Sequence, residues 1–490
     1  MLLVIDNHNF NYEIENLCKV FFLGDDVTVT ESQETPQDNY VYTAIKSGVI
    51  TVSAQFGEKK KTLTDKVCEV DKENERKMAV LLYKVLSELT GTMPKWGILT
   101  GVRPIKIVHS YKEDGLTDAQ IKTELSEKLL VSEEKADLMI RTANEEKEVL
   151  DLNEDNCYSL YISIPFCPTR CKYCSFVSHS IEKTKKLVPE YLELLCNELK
   201  VVGEIAKNIR LKLLTIYIGG GTPTTLNAEQ LKTLIDCVAE NFDTKSVLEY
   251  TIEAGRPDTI DRDKLLVIKN SDVTRISINP QTLNDEVLEE IGRRHTTEQT
   301  IKAFNLAREV GIDNINMDLI AGLPKDTLES FKNTVDGVIK LGAENITVHT
   351  LSVKRAADFK DKSREIHENS DSLASPMLDY AFENLTKNSY EPYYLYRQKN
   401  MLESLENVGY SKKGYKGLYN VYIMDEIHTI FAVGAGAVTK LKDNATDKIE
   451  RIFNFKFPYE YISRYDEIIK RKERIYDFFL SSKPSREEKD

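Results

Sequence analysis

The strongest chemical signal in this chain is a group of three cysteines within one short stretch. Cys167, Cys171 and Cys174 have the spacing C-x3-C-x2-C in YSLYISIPFCPTRCKYCSFVSH, directly after an apolar run. Thiolates are preferred ligands of iron–sulfur clusters, zinc and Cu(I). Three thiolates can hold three corners of a [4Fe–4S] cube and leave its fourth iron open to an outside ligand.

A zinc site is the main alternative interpretation of the same stretch. Structural zinc takes four ligands, and a Cys3His set would use His179 as the fourth. Three reduced and unrelated thiols are a further alternative, which the close spacing disfavours. The cysteines alone favour the cluster over zinc, and the residues downstream must decide.

The segment IPFCPTRCKYC resembles the signature of radical S-adenosylmethionine (radical SAM) enzymes, specifically the anaerobic coproporphyrinogen oxidase group. The resemblance implies a [4Fe–4S] cluster on Cys167, Cys171 and Cys174, with S-adenosylmethionine (SAM) as the second cofactor. In that family the amino and carboxylate groups of SAM chelate the open iron. Reductive cleavage of the sulfonium then gives a 5′-deoxyadenosyl radical.

A repeated strand, loop and helix pattern begins near residue 155. Apolar strand-like runs occur at 160–166, 213–218, 247–253, 275–279, 314–320 and 345–351. Runs rich in Ile, Leu and Val, separated by amphipathic helical stretches, indicate parallel strands covered by helices. A doubly wound sheet is possible, but polar residues follow each run, which favours a partial (β/α)6 barrel with one functional rim.

Two of these strand ends carry the clearest binding signals. The glycine loop, Gly219 to Thr224 (GGGTPT), lets the backbone approach a ligand closely and exposes N–H donors. A tight turn that opens a helix is the alternative. Glu253 ends the third run, where a carboxylate suits the two hydroxyls of a ribose, and a salt bridge to Arg256 is the alternative.

The family resemblance implies a set of SAM contacts in matching order and spacing. Arg293 is predicted to lie in the helix after Gln281. Closed zinc coordination requires neither the glycine loop nor Glu253, so the set favours the cluster and leaves His179 an ordinary polar residue. The implied contacts are Tyr161, Tyr173, Gly220, Gly221, Thr222, Glu253, Gln281, Arg293 and Asp318.

Length and composition limit the class of protein. The chain has 490 residues, which suggests two or three domains, and its charged and hydrophobic fractions of 30% and 41% are ordinary. A net charge of −13 argues against nucleic acid or an anionic membrane as the main partner. The start lacks a signal-peptide pattern, no run of 18 apolar residues occurs, and the eight cysteines do not form a disulfide framework. We therefore expect a reduced, cytoplasmic protein, in which Cys196 and Cys237 are core residues.

Three domains are predicted. Residues 1–150 form an N-terminal α+β domain of unknown role, with strand-like runs such as LLVI, VFFL and VTVT and helices near 74–90 and 132–150. Its segment GILTGVRP resembles the N-terminal extension of the HemZ-type branch of the group. Residues 151–351 form the radical SAM core, and residues 352–490 form a C-terminal α+β extension that covers the substrate.

The C-terminal stretch EPYYLYRQKN interleaves aromatic and cationic residues. A strand with a polar outer face is one interpretation. The other is a lid over a large planar anion, in which rings stack and guanidinium groups bind carboxylates. The residues concerned are Tyr393, Tyr394, Tyr396, Arg397 and Lys399.

The resemblance implies oxidative decarboxylation of two propionates of coproporphyrinogen III to vinyl groups. The implied partners are a tetrapyrrole substrate and a reduced electron donor of flavodoxin or ferredoxin type. Candidate anchors for the substrate carboxylates are Arg256, Arg294, Lys354, Arg355 and Arg397.

Two departures from the group's pattern keep other functions open. Phe176 replaces a cysteine of the well-studied enzymes, and phenylalanine there is typical of the related haem chaperones. The chaperones' HN-x-x-YW motif, however, reads Tyr419-Asn420-Val421-Tyr422-Ile423-Met424 here. A radical SAM methyltransferase that degrades haem is the third alternative.

Overall fold

The computed structural model describes residues 1–22, 27–31, 38–174, 178–352, 373–398, 401–444, 446 and 448–481. These residues divide into two compact units. The first unit is Met1–Ala143 with the described parts of Asp361–Asp379 and Leu395–Glu406. The second unit contains the described parts of Asn144–Lys360, Tyr380–Tyr394 and Asn407–Asp490. The division into three domains stays a prediction.

The first unit is built on a five-stranded sheet of order β2-β1-β3-β4-β5. Strand β1 pairs in parallel with β2 and β3, whereas β3, β4 and β5 are successive antiparallel strands. The strands are β1 (Leu2–Asp6), β2 (Thr28–Glu31), β3 (Tyr40–Lys46), β4 (Val49–Phe56) and β5 (Lys59–Lys66). The helices that begin in this unit are α1 (Asn11–Phe21), α2 (Asp71–Thr90), α3 (Ile105–Glu113), α4 (Asp118–Thr123) and α5 (Glu133–Leu150).

Helix α1 corrects one sequence expectation. The run VFFL was taken as strand-like, but Val20 and Phe21 end helix α1. Ile14, Leu17 and Cys18 are buried at helical spacing on one side of α1, and they pack into the core of the unit. Burial of this stripe outweighs the strand preference of a short apolar run.

The second unit is built on an eleven-stranded sheet of order β14-β15-β13-β12-β11-β10-β9-β6-β16-β17-β18. Neighbours from β16 through β6 to β13 all pair in parallel. Its strands are β6 (Cys157–Ile164), β9 (Lys212–Gly220), β10 (Glu249–Glu253), β11 (Arg275–Ser277), β12 (Ile315–Ala321), β13 (Asn345–Thr350), β14 (Glu391–Arg397), β15 (Glu406–Ser411), β16 (Thr429–Val433), β17 (Val438–Lys442) and β18 (Ile449–Phe453). Two short strands, β7 (Phe166–Cys167) and β8 (His179–Ser180), form a separate parallel pair.

Helices alternate with the parallel strands. None of the described helices is both long and apolar enough to cross a bilayer. The helices are α6 (Ile181–Thr184), α7 (Val188–Ile209), α8 (Ala228–Asn241), α9 (Arg262–Lys269), α10 (Asp285–Glu290), α11 (Thr297–Glu309), α12 (Leu328–Leu341), α13 (Ala374–Lys387), α14 (Leu418–Asp425), α15 (Pro458–Ser463) and α16 (Tyr465–Ser481).

The six predicted strands are all present, as β6 and β9 to β13, and they are consecutive neighbours in the sheet. The predicted α/β class with alternating strands and helices is therefore confirmed. The strand order is open, since β14 and β18 are its two ends. The stretch EPYYLYRQKN, interpreted above as either a strand or a lid, begins with strand β14, in which Tyr393 and Tyr394 are buried.

The parallel strands have one apolar and one polar face. Ile162, Ile216 and Ile252 are fully buried on the apolar face. Register places the intervening side chains next to one another, because Tyr161 pairs with Tyr217, Tyr217 with Thr251, and Thr251 with Arg275. We call the surface that carries these four residues the polar face. Packing against an apolar helix does not explain why this face is polar. The same strands carry the predicted site at their ends.

Candidate functional site

The segment that leads into the cysteine loop (residues 167–174) is tied to the glycine loop through backbone hydrogen bonds. The N–H of Gly221 donates to the carbonyl of Ile164 at 2.7 Å, and the N–H of Thr222 donates to the carbonyl of Phe166 at 2.7 Å. A Cβ at Gly221 would lie 2.6 Å from the Phe166 carbonyl oxygen. Glycine is therefore required for the two loops to approach so closely.

Polar groups surround the cysteine sulfurs. The hydroxyl of Thr222 donates to Cys167 Sγ at 3.4 Å, and Arg256 Nη1 donates to Cys171 Sγ at 3.8 Å. Arg293 also interacts electrostatically with the Cys171 side chain. Both arginines are buried. The hydroxyl donor and the two positive charges here fit an anionic iron–sulfur cluster.

Arg256 was expected to bind a substrate carboxylate or to pair with Glu253. Instead its guanidinium pairs with Asp258, at 3.0 Å and 3.1 Å from the two carboxylate oxygens. Its Nη1 also donates to the hydroxyl of Thr169 at 3.1 Å. Arg256 thus links the cysteine loop to the residues after β10, and this geometry corrects both expectations.

The prediction that Arg293 lies in the helix after Gln281 is wrong. Helix α10 ends at Glu290, and Gly292 with a φ of 77° turns the chain before Arg293. From this turn Arg293 donates to the carbonyl of Asn279 at 2.6 Å and to the hydroxyl of Tyr173 at 3.3 Å. Two predicted site residues, Tyr173 and Arg293, are thereby in direct contact.

Glu253 ends β10 and accepts a hydrogen bond from the hydroxyl of Tyr217 at 2.5 Å. Burial raises the pKa of Glu253 to about 7, although the bonds from Tyr217 and from the backbone of Gly220 oppose the rise. The nearby charge of Asp318 raises this pKa further. The carboxylate is therefore close to its titration midpoint at neutral pH, which is typical of functional groups.

Tyr217 belongs to a tyrosine stack of three rings, together with Tyr161 and Tyr419. Ring centroids are 6.2 Å apart for Tyr161 and Tyr217, 4.6 Å for Tyr217 and Tyr419, and 6.2 Å for Tyr161 and Tyr419. Helix α14 supplies Tyr419, and Glu249 of β10 fixes the start of this helix by accepting the N–H of Leu418 at 2.7 Å. The stack places a broad aromatic surface beside Glu253.

Sequence reasoning missed Tyr217 and Tyr419 as members of this site. The signal for Tyr217 was its position two residues before Gly219, since alternate residues of a strand share a face. No comparable signal identified the contacts of Tyr419, because helix α14 reaches the stack through a tertiary contact.

Gln281 and Asp318 lie next to each other after β11 and within β12. The N–H of Gln281, whose φ is 70°, donates to the Asp318 carbonyl at 2.9 Å. The buried Oε1 of Gln281 has no hydrogen-bond partner among the described residues. Burial alone would raise the pKa of Asp318, but interaction with His349 lowers it below its ordinary value. The unpartnered Oε1 of Gln281 and the ionised carboxylate of Asp318 suit a ligand that carries hydrogen-bond donors.

Other predicted residues lie away from this cluster or outside the described residues. Arg397 ends β14, whose residues from Leu395 onward belong to the first unit, and its guanidinium donates to backbone carbonyls of Leu99 and Ser404 and stacks on Trp96. The ring of His179 packs edge-on against Phe457, with centroids 5.8 Å apart. Outside the described residues are Lys354, Arg355, Lys399 and Phe176.

Comparisons of the sequence with known proteins show its family. A family model described as the Radical SAM superfamily matches residues 161–338. The "Oxygen-independent coproporphyrinogen-III oxidase-like protein HemZ" of Bacillus subtilis is 41% identical over 416 residues, covering 84% of this chain and 83% of that protein. The "Heme chaperone HemW" of Bacillus subtilis is 40% identical over 202 residues, covering 41% of this chain and 52% of that protein.

One solved structure supports the same fold. The radical SAM coproporphyrinogen III oxidase HemN from Escherichia coli superposes with a TM-score of 0.50 at 24% identity. The match covers 65% of this chain and 71% of that chain.

Proposed function

Because this chain belongs to the radical SAM superfamily, in the family of the coproporphyrinogen-III oxidase-like protein HemZ, we propose that it is an oxygen-independent coproporphyrinogen III dehydrogenase. The cofactors of this superfamily are a [4Fe–4S] cluster and SAM. The observation that carries the proposal is the identity to HemZ along most of both chains. The proposed reaction converts two propionate side chains of coproporphyrinogen III to vinyl groups, which gives protoporphyrinogen IX.

Cys167, Cys171 and Cys174 are the proposed cluster ligands. Three thiolates leave one iron open, and the buried cations Arg256 and Arg293 offset the negative charge of the thiolates. When bound, the cluster and SAM supply the radical chemistry that removes a hydrogen atom from an unactivated carbon. The protein's contribution is to bind, orient and shield.

The strand ends are proposed to hold SAM. Gly220, Gly221 and Thr222 are the proposed SAM contacts in the glycine loop, and Glu253 is proposed to accept hydrogen bonds from the ribose hydroxyls. Gln281 offers its orphaned Oε1 to a donor of the same ligand. The remaining proposed contacts are Tyr161, Tyr173, Arg293 and Asp318.

The proposed reaction needs two acceptors for each propionate: a radical that bound SAM would supply takes the hydrogen atom, and an external acceptor takes the electron. Each propionate loses one hydrogen atom from its β-carbon, then carbon dioxide and one electron, and a vinyl group remains.

Arg294 is the described candidate that best suits a carboxylate anchor, because its side chain is 69% exposed and pairs only loosely, at 3.4 Å, with exposed Glu182. A reduced flavodoxin or ferredoxin in the cytoplasm is the proposed donor to the cluster.

A haem chaperone is the second candidate, and one observation favours it. HemW of Bacillus subtilis is 40% identical over 202 residues. Against it, the chain has Tyr419 where the chaperones' motif has histidine, and it has Ile423 and Met424 in place of the YW pair. The chaperone would bind haem and leave it unchanged.

The test is a pair of anaerobic incubations of reconstituted protein with SAM and a reductant, one with coproporphyrinogen III and one with haem, followed by chromatography of the tetrapyrroles. Vinyl products that require Cys171 support the proposal, with Cys171→Ala as the inactive control. Haem recovered unchanged but bound, with no vinyl product, supports the chaperone and contradicts the dehydrogenase. A linear tetrapyrrole formed from haem would instead indicate a haem-degrading methyltransferase.

A further inference from the structure

Helices α7 and α8 bring two cysteines together beside the strand that carries the glycine loop. Cys196 lies on α7 and Cys237 on α8, and β9 connects the two helices along the chain. The helices pack closely, since a Cβ at Gly203 of α7 would lie 2.8 Å from the carbonyl oxygen of Asn241. Cys237 Sγ lies 3.6 Å from the carbonyl oxygen of Cys196. Each thiol also has the largest influence on the pKa of the other.

The two thiols differ in access and acidity. Cys196 is half-buried, whereas Cys237 is only 7% exposed. The interaction with Cys237 lowers the pKa of Cys196 below the ordinary value. The same interaction, together with burial, raises the pKa of Cys237. Cys196 is therefore the more accessible and the more acidic thiol of the pair.

We propose that Cys196 and Cys237 form a thiol–disulfide modification site that reacts with small-molecule disulfides such as oxidised glutathione. The Cys196 thiolate attacks one sulfur of glutathione disulfide, which gives a mixed disulfide and releases one glutathione thiolate. The Cys237 thiol then loses its proton and attacks Cys196 Sγ, which releases the second glutathione. Two protein thiols are oxidised, and one glutathione disulfide is reduced to two glutathiones.

The bond would enclose the strand and loop that are proposed to hold SAM. Its two cysteines are 41 residues apart in the chain, and the segment between them contains β9 and the glycine loop. A cross-link of this length restricts the unfolded chain more than the folded one. The oxidised protein is therefore expected to unfold at a higher temperature than the reduced protein. This inference does not depend on the proposed enzymatic activity.

The test is peptide mapping of the anaerobic holoprotein after incubation with oxidised glutathione. Free thiols are blocked with iodoacetamide, and trypsin releases residues 187–200 with Cys196 and residues 233–245 with Cys237. The proposal predicts a cross-linked pair of these two peptides that disappears after reduction. Cys68, which is partly exposed, is the internal control and should carry glutathione or the blocking group instead.

Two results would overturn the proposal. One is a stable glutathione adduct on Cys196 while Cys237 is recovered alkylated, because the second thiol would then not reach the first. The other is recovery of both Cys196 and Cys237 in alkylated form under conditions in which Cys68 carries glutathione. In Cys237→Ser the proposal predicts that the glutathione adduct on Cys196 persists and that the rise in unfolding temperature is lost.

Discussion

At the scale of single residues, the contact between Tyr217 and Glu253 influences the charge of Glu253, the residue proposed to bind the ribose. The phenol donates to the carboxylate at 2.5 Å and opposes the rise in pKa that burial causes. Asp318 and His349 face the same carboxylate from β12 and β13, with opposite effects on its pKa. The other two rings of the tyrosine stack lie nearby and are neutral near pH 7, because burial raises their pKa values. The charge of Glu253 should therefore vary within the neutral range.

Binding of SAM should strengthen as pH rises from about 6 to about 8, since Glu253 ionises with a pKa of about 7 and an ionised carboxylate is the stronger acceptor. Glu253→Gln should weaken binding by about 10- to 100-fold at pH 8, from the loss of hydrogen bonds to a charged group. Isothermal titration calorimetry on the cluster-loaded protein measures both effects.

SAM itself titrates, so the informative quantity is the difference between parent and variant. The parent's affinity should rise more steeply with pH than that of Glu253→Gln. Parallel pH profiles in the two proteins would remove the role of Glu253 in binding the ribose.

Tyr217→Phe should move the midpoint of this pH profile upward by about one unit or more, because one hydrogen bond to the carboxylate is worth about 1.5–3 kcal/mol. The phenylalanine ring keeps the stack, so a purely structural role would leave the midpoint in place. Tyr419→Phe is the matched control, because it removes a phenol from the same stack and keeps the bond to Glu253. Equal midpoints in all three proteins would contradict the positioning role of Tyr217.

Residue types that rarely occur without a purpose were the ones predictable from sequence. Three clustered cysteines, three consecutive glycines and a carboxylate at a strand end each suggest a chemistry by themselves. Tyr217 was overlooked because a tyrosine in a strand is ordinary. Arg256 was predicted as a substrate anchor, since sequence shows a charge but does not show that Asp258 and the cysteine loop already bind it.

At the scale of secondary-structure elements, one buried carboxylate on α7 connects the C-terminal elements to the parallel sheet. Glu198 accepts hydrogen bonds from the N–H of Gly434 at 2.9 Å, Asn454 Nδ2 at 2.8 Å and the hydroxyl of Tyr461 at 2.6 Å. Lys472 of α16 lies 3.0 Å from the same carboxylate, and both side chains are fully buried. Glu198 therefore holds the turn after β16 and helices α15 and α16.

Glu198→Gln should destabilise the protein by about 3–5 kcal/mol, because it leaves the ammonium of Lys472 buried without a counter-charge. The midpoint of urea denaturation, monitored by far-UV circular dichroism, measures the loss. Glu193→Gln on the exposed side of α7 is the matched control and should change stability by less than about 0.5 kcal/mol.

The double variant Glu198→Gln/Lys472→Met separates charge burial from a general packing defect. Removal of the unpaired charge should restore part of the lost stability. A double variant less stable than Glu198→Gln alone would contradict the role given to the ion pair.

Whether an element could be predicted depended on the length and regularity of its pattern. The βα repeats predicted the six parallel strands β6 and β9 to β13, because apolar runs that alternate with amphipathic helices are compatible with few other folds. Helix α1 was missed although Ile14, Leu17 and Cys18 have helical spacing, since the VFFL run at its end suggested a strand. The break before Arg293 was missed because Gly292 is one residue in an otherwise helical pattern.

At the scale of the whole molecule, the sequence indicated the central α/β architecture. It did not indicate that C-terminal strands add to both sides of the same sheet. Strand β16 pairs in parallel with β6, with Phe431 opposite Leu160, although more than half of the chain separates them. Hydrophobic periodicity identifies a strand and carries no information on a partner so distant. The extension of the sheet by β14 and β15 on one side and by β16 to β18 on the other could therefore be learned only from the structure.

We propose that three cysteines hold a cluster whose open iron would bind SAM at the strand ends. The most direct measurement is electron paramagnetic resonance of the reduced, anaerobically reconstituted protein, before and after addition of SAM with a 15N-labelled amino group. We predict that SAM changes the cluster signal and that a hyperfine coupling to the labelled nitrogen appears, while Cys171→Ala gives no such signal. A cluster signal that saturating SAM leaves unchanged, or purified protein that contains stoichiometric zinc and no iron, would contradict the account.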